Sequence, residues 1–157
     1  MFDTASTGLW AHSTKTADPE KTQTGFAKAY SHSCYDLQDS TWAMEDPNGN
    51  TISRKVYVET LSVGDLTVKG QLLQIVETVS SDFQTPYGVS GVMGMGFSAI
   101  SPLKPHPDDS VFEYAKYKLD EKVFTVDMKH CSAGQVDFGY IDKDAYIGKI
   151  GYSSVNT

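Results

Sequence analysis

The sequence predicts a mainly β fold with one or two short helices, folded as a single domain over residues 1–157. Three observations predict it. Val56-Tyr57-Val58-Glu59-Thr60-Leu61-Ser62-Val63 and Leu66-Thr67-Val68-Lys69-Gly70 are β-branched, aromatic or alternating, and Gly64-Asp65 between them is a two-residue hairpin signal. A second such pair, Val123–Met128 and Gln135–Ile141, comes late in the chain. Only one segment carries helical spacing behind a cap. The 157 residues are 39% hydrophobic and 11% aromatic, which fits one domain with a real core and argues against disorder.

In chain order, Ser13–Gln23 is polar, rich in Thr and Lys, and reads as a loop. The hairpin around Gly64 follows, and Gln71–Val79 extends its β region. Pro102, Pro105 and Pro107 form a stiff connector. Ser110-Val111-Phe112-Glu113 then matches a capping box, in which a serine and a glutamate each satisfy a free amide. It predicts a helix with Phe112, Ala115 and Leu119 on its apolar face and Lys116 and Lys118 in water. The last hairpin is expected to turn at Ala133-Gly134.

Composition excludes several functions. Thirteen basic against twenty acidic residues give a net charge of -7, with one arginine and scattered lysines, so nucleic acid is not an expected partner. No apolar run is long enough for a membrane helix, and none is expected. Met1-Phe2-Asp3-Thr4 lacks a basic and apolar leader, so no signal peptide is expected. Cys34 and Cys131 form no CxxC and are read as ordinary thiols, able to pair only if folding brings them together. The four histidines lack metal-ligand spacing, and no metal or cofactor is expected. Asp46-Pro47-Asn48-Gly49-Asn50 is a turn rather than a calcium loop, because Thr51 stands where that loop needs glycine. Gly91-Val92-Met93-Gly94-Met95-Gly96 is neither a phosphate loop nor a dinucleotide fingerprint, and close backbone packing accounts for its glycines. No GxSxG elbow is present.

The N-terminal segment Phe2-Asp3-Thr4-Ala5-Ser6-Thr7-Gly8-Leu9-Trp10 sets one carboxylate among hydroxyls and small residues, between large apolar side chains. Hydroxyl and amide donors can hold such a carboxylate ionised, as acid–base work requires. Taken alone, an Asp-Thr turn before a strand is more often a structural feature.

The same segment resembles the Phe-Asp-Thr-Gly-Ser-Ser-x-Leu-Trp active-site segment of pepsin-like aspartic proteases, and further resemblances follow in the family's order. Leu61–Val68 resembles the strand pair after the flap. Gly91-Val92-Met93-Gly94-Met95-Gly96-Phe97 is similar to the Gly-Ile-Leu-Gly-Leu-Gly-Phe segment. Val123–His130 and Asp137–Asp142 resemble fungal, penicillopepsin-like members. The resemblance implies a β-barrel-like lobe of the pepsin type, and only the N-terminal lobe, without the family's upstream strands and its second lobe. It also implies a secreted or vacuolar setting, although no export signal is written here.

Carried over by resemblance, Asp3 matches the catalytic aspartate, Thr4 the threonine whose hydroxyl bridges two active loops, and Ser6 the serine bonded to the aspartate. Trp10 and the flap-equivalent Asp46, Pro47, Asn48 and Gly49 are the expected substrate-binding residues. The departures are specific. Ala5 replaces a glycine, and its methyl is expected to strain the loop or displace the carboxylate. Asp46 replaces the flap tyrosine, and Pro47 has no N–H to give a substrate. Asp39-Ser40-Thr41-Trp42 lies where the family enters its flap and is not a second site.

Pepsin-like chemistry pairs two carboxylates, one protonated while the other activates water. The expectation is therefore a one-lobe homologue without ordinary peptidase activity, a pseudoprotease. One alternative is an active homodimer that pairs two Asp3 carboxylates, as one-lobe retroviral proteases do. Another is a pocket repurposed for acid–base work on a small molecule, such as isomerisation or cyclisation. A homodimer or second-lobe partner is expected, because Phe2, Leu9, Met93 and Met95 would leave an apolar seam open beside Asp3. The cleft ligand is a peptide or a small apolar molecule.

Overall fold

The computed structural model describes residues 1–38, 40, 42–45, 51–78, 88–101, 103 and 107–155. The chain divides into two compact units, Met1–Tyr114 and Ala115–Thr157. Among the described residues of the first unit, seven strands form one open, mixed sheet: β1 (Phe2–Asp3), β2 (Leu9–His12), β3 (Tyr35–Asp36), β4 (Trp42–Glu45), β5 (Thr51–Val63), β6 (Leu66–Thr78) and β7 (Gly91–Gly94). The order is β1-β7-β2-β6-β5-β3, with β4 also on β5. This is the mainly β fold the sequence predicts.

The β5–β6 hairpin is the frame. Its register runs from Val63↔Leu66 at the turn to Ser53↔Thr78, and Gly64 takes φ +56 at the first turn position, where a side chain would be strained. The register shifts between Glu59 and Thr60, opposite Gly70, which sits at φ +77 as the extra residue of a bulge. β6 is central, flanked by β2 and β5. Leu73, Gln74, Ile75 and Val76 are consecutive and all buried, so both faces of the strand are covered. Val56, Leu103 and the flanking Leu37 and Leu72 form a cluster against this frame.

Connections follow their residues. Ser13–Gln23 is a loop holding one 3-10 turn, Pro19–Lys21, capped by Asp18 accepting from the Glu20 N–H at 3.0 Å and closed by Thr22 in the left-handed region. Ser110 caps helix α1 (Val111–Ala115), accepting from the Glu113 N–H at 3.4 Å as the cap predicts. The buried residues there are Ser110, Val111 and Ala115, and the helix tightens to a 3-10 turn that ends at Lys118. Leu119 is therefore outside the helix, in extended backbone, and Lys116 is half-buried while Lys118 is exposed. The chain leaves the helix because the next residues dock on Gly139: Leu119 packs against its α-carbon, and the Glu121 N–H donates to its carbonyl at 3.0 Å. Pro102 and Pro105 of the expected connector lie outside the described residues.

In the second unit β8 (Phe124–Asp127) and β9 (Gln135–Phe138) form the late hairpin, with Phe124 and Phe138 as a registered pair whose rings stand 6.5 Å apart. Its turn falls at 130–132, with Cys131 at φ +55, rather than at Ala133-Gly134. Gly134 lies instead against the Asp127 carbonyl, where a Cβ would come within 2.4 Å. Cys34 and Cys131 are both free thiols. Among the described residues no helix is long and apolar enough to cross a membrane, and no His, Cys, Asp or Glu cluster is arranged to hold a metal.

Candidate active-site loop

Strand β7 lies between β1 and β2, parallel to the first (Phe2↔Met93, Asp3↔Gly94) and antiparallel to the second (Leu9↔Met93, Trp10↔Val92). The chain from Asp3 to Gly8 must therefore arch over the end of β7. Four successive amides, two at the end of β7 and two just beyond it, hold both feet of the arch. Met93 and Met95 donate to Met1 O at 2.8 Å and Asp3 O at 2.7 Å, while Gly94 and Gly96 donate to Gly8 O at 3.0 Å and Ser6 O at 2.8 Å. The alternation is that of a strand, whose N–H groups point left and right in turn.

The glycines of this segment are where the arch comes closest. A Cβ on Gly94 would stand 2.4 Å from the Thr7 carbonyl carbon, and one on Gly91 2.2 Å from Trp10 O. On Gly96 it would meet Ser6 O at 3.0 Å. Close packing is thus the reason for the glycine run, as its sequence predicts.

Asp3 is half-buried, and its two carboxylate oxygens hold separate donors: Oδ1 accepts the Ala5 N–H at 2.9 Å and Oδ2 the Ser6 hydroxyl at 2.7 Å. Both donors come from the next three residues, so the loop orients its own carboxylate. Thr4 is exposed. Ala5 does not carry the strain expected of it. It lies outside the positive-φ region, its methyl is exposed, and its N–H makes the Asp3 bond. Thr7 is 2% exposed, and its hydroxyl has no hydrogen-bond partner among the described residues.

The expected apolar seam is corrected. Leu9 and Met95 are buried and Met93 is half-buried; Phe2 alone of the four is exposed, at 45%. Trp10 is half-buried on β2, its ring edge-on to buried His12 at 5.6 Å. Asp46, Pro47, Asn48 and Gly49 lie outside the described residues. The strands on either side of them, β4 and β5, pair antiparallel from Trp42↔Arg54 to Glu45↔Thr51.

Two polar clusters escaped the sequence reading. The Tyr114 hydroxyl donates to Asp108 Oδ1 at 2.8 Å, and the Asp108 N–H donates to Ser101 Oγ at 2.9 Å. Burial pushes the Asp108 carboxyl up to about 6 against the pull of the Tyr114 bond, and burial with that bond pushes the Tyr114 phenol up as well. The second cluster is Glu59, whose carboxylate accepts from the hydroxyls of Ser31 and Ser33 and from the Thr60 N–H. The Ser-x-Ser spacing is its only local signal.

Comparison with known proteins agrees with this geometry. A family model for eukaryotic aspartyl protease matches residues 1–157. Endothiapepsin of Cryphonectria parasitica is 37% identical over 157 residues, covering 99% of this chain and 38% of the relative. Aspergillopepsin-1 of Aspergillus oryzae is 33% identical over 155 residues, 99% of this chain and 40% of the relative. Penicillopepsin-1 of Penicillium rubens is 33% identical over 162 aligned residues, 99% of this chain and 39% of the relative. The chain thus spans 38% to 40% of the length of these relatives.

Proposed function

Because the chain belongs to the eukaryotic aspartyl protease family, we propose that Asp3 is its acid–base carboxylate and that these 157 residues make up one lobe which does not hydrolyse peptides alone. The observation that carries this reading is the Asp3 carboxylate, held at one oxygen by the Ala5 amide and at the other by the Ser6 hydroxyl. Such a carboxylate is oriented and stabilised for proton transfer. Peptide hydrolysis of the pepsin type asks for more: a second carboxylate close enough that the two share one proton while water is activated between them. The sequence has one Asp-Thr-Ala loop, so a second must come from a facing lobe or chain. The exposure of Thr4 on the arch supports reading it as the residue that bridges to such a loop. Pro47, lacking an N–H, and Asp46, a charge in place of a tyrosine, argue for weak clamping of a peptide.

The test is cleavage of an unstructured protein at acidic pH by the purified chain and by Asp3→Asn, with the mass in solution measured alongside. The expected result is no cleavage sensitive to Asp3→Asn. Asp3-dependent cleavage by a strict monomer overturns the reading.

Active pairing is the second reading, and two observations favour it: Phe2 is 45% exposed beside Asp3, and among the described residues β1 forms an edge of the sheet. Unpaired edges invite strand addition, and two-fold pairing is the commonest oligomer symmetry. On this reading Asp3-dependent cleavage appears together with the dimer, and specific activity rises with protein concentration.

A further inference from the structure

A cleft of about 640 Å³ opens in the first unit, and none of Asp3, Thr4, Ser6 or Trp10 lines it. Its floor comes from strand alternation. Leu9 and Ala11 face one side of β2 while Trp10 faces the other, and Leu73 of β6 lies beside Leu9 in register. Ala11 gives the floor its depth, being the smallest side chain there. Phe26 forms a wall, fixed by its N–H donating to His12 O at 2.7 Å and by its ring 6.2 Å from Tyr57. The volume and the apolar floor are those of a small-molecule site.

The rim is polar and of one sign. Ser31 and Ser33 line the opening, and both donate their single hydroxyl proton to Glu59. Their oxygens are left with lone pairs only, one of which on Ser31 is taken by the Ser33 N–H at 3.3 Å. Every donor on Glu59 is neutral, and among the described residues no lysine or arginine pairs with it. Lys28, on the adjoining turn, is engaged by Asp36 and lies over the Tyr57 ring. Burial pushes the Glu59 carboxyl up, but the bonds from Ser31 and Ser33 outweigh it and leave the carboxyl below the ordinary glutamate range, with Cys34 adding in the same direction. A negative charge behind two acceptor oxygens, above an apolar floor, is complementary to an ammonium on an apolar body.

We propose that this cleft binds a small amphiphile carrying a protonated amine, with its apolar body on Leu9, Ala11 and Leu73 and its ammonium against Ser31, Ser33 and Glu59. The site is separate from the Asp3 arch and independent of whether the chain cleaves peptides.

The experiment uses the whole chain and two fluorescent probes, dansylcadaverine and its neutral N-acetyl derivative, titrated at about pH 8, where an alkylamine is still protonated. The cationic probe is expected to bind about tenfold more tightly, the worth of a hydrogen bond to a charged group. Glu59→Gln is expected to abolish that preference while leaving the neutral probe's affinity unchanged. Ala11→Phe, which fills the floor, should remove binding of both. If Glu59→Gln does not fold, Ser33→Ala decides, with an expected fall of about threefold in the preference. Equal affinity for the two probes overturns the proposal. So does a preference that survives both Glu59→Gln and Ser33→Ala, binding indifferent to Ala11→Phe, or no saturable binding below about 1 mM.

Discussion

Raising the pH through the mildly acidic range is expected to weaken this fold through Asp108. The residue lies between Pro107 and the Ser110 cap, tied to Tyr114 at 2.8 Å on one side and to Ser101 at 2.9 Å on the other. Burial pushes its carboxyl from the ordinary 3.8 to about 6. Below about pH 4 the carboxyl is protonated in both folded and unfolded chains, and the fold has its full stability. Between about 4 and 6 the folded chain keeps a proton the unfolded chain has lost, so stability falls as pH rises; above about 6 the loss is complete. Two pH units correspond to almost 3 kcal/mol as a ceiling, at about 1.4 kcal/mol per unit. Asp108 is only part-buried, and solvent screening brings the expectation to roughly 1 kcal/mol. The assay is urea unfolding of the wild type and Asp108→Asn at several pH values from about 4 to 7. Asparagine keeps an acceptor for Tyr114 and cannot ionise, so its advantage over the wild type should grow by roughly 1 kcal/mol across that window. Tyr114→Phe, which removes a bond that favours the charged form, should move the wild-type decline to higher pH. A gap between wild type and Asp108→Asn that stays constant or narrows with rising pH would refute the reasoning.

The arch over β7 supplies two more expectations. Gly94→Ala puts a methyl 2.4 Å from the Thr7 carbonyl carbon, so β7 and the arch must separate; the cost is roughly 1–3 kcal/mol, read as a lowered thermal midpoint. Thr7→Val replaces a buried hydroxyl that lacks a partner with a methyl of similar shape. It should leave stability unchanged or raise it by up to about 1 kcal/mol in urea unfolding; a loss of that size would show that the hydroxyl is satisfied in solution.

The hairpins were legible because their signals are local. Gly64-Asp65 between two alternating runs fixes the β5–β6 turn, and the two late runs read as a strand pair, although their turn falls at 130–132 and sets a register the sequence reading did not give. The short strands were not legible in the same way. Phe2–Asp3 is a strand only because β7 pairs with it across ninety residues, and nothing in two residues can announce that partner. Gln71 and Gln74 mislead for a related reason. In an alternating strand with one wet face a glutamine marks the solvent side, but β6 is central and both residues are buried. Gly70 reads as one more position in the alternation until the register shift opposite it reveals a bulge. The helix ended before Leu119 because Gly139, twenty residues on, offers a docking point that no capping rule contains.

The candidate site divides along the same line. The partners of Asp3 are the amide two residues on and the hydroxyl three residues on, so a nine-residue segment states the whole arrangement. The Glu59 cluster draws on a loop and on β5, and its parts become a cluster only when the sheet forms. Ala5 separates what a motif states from what geometry decides. A glycine in the corresponding place of the family permits unusual dihedrals but does not prove that this chain uses them. Here the residue stays out of the positive-φ region, gives its N–H to the carboxylate and turns its methyl to solvent. The alanine therefore leaves the Asp3 arrangement intact. The weight of the proposed departure from peptidase chemistry shifts to Pro47, whose lack of an N–H is a matter of covalent structure that no folding of the chain can restore.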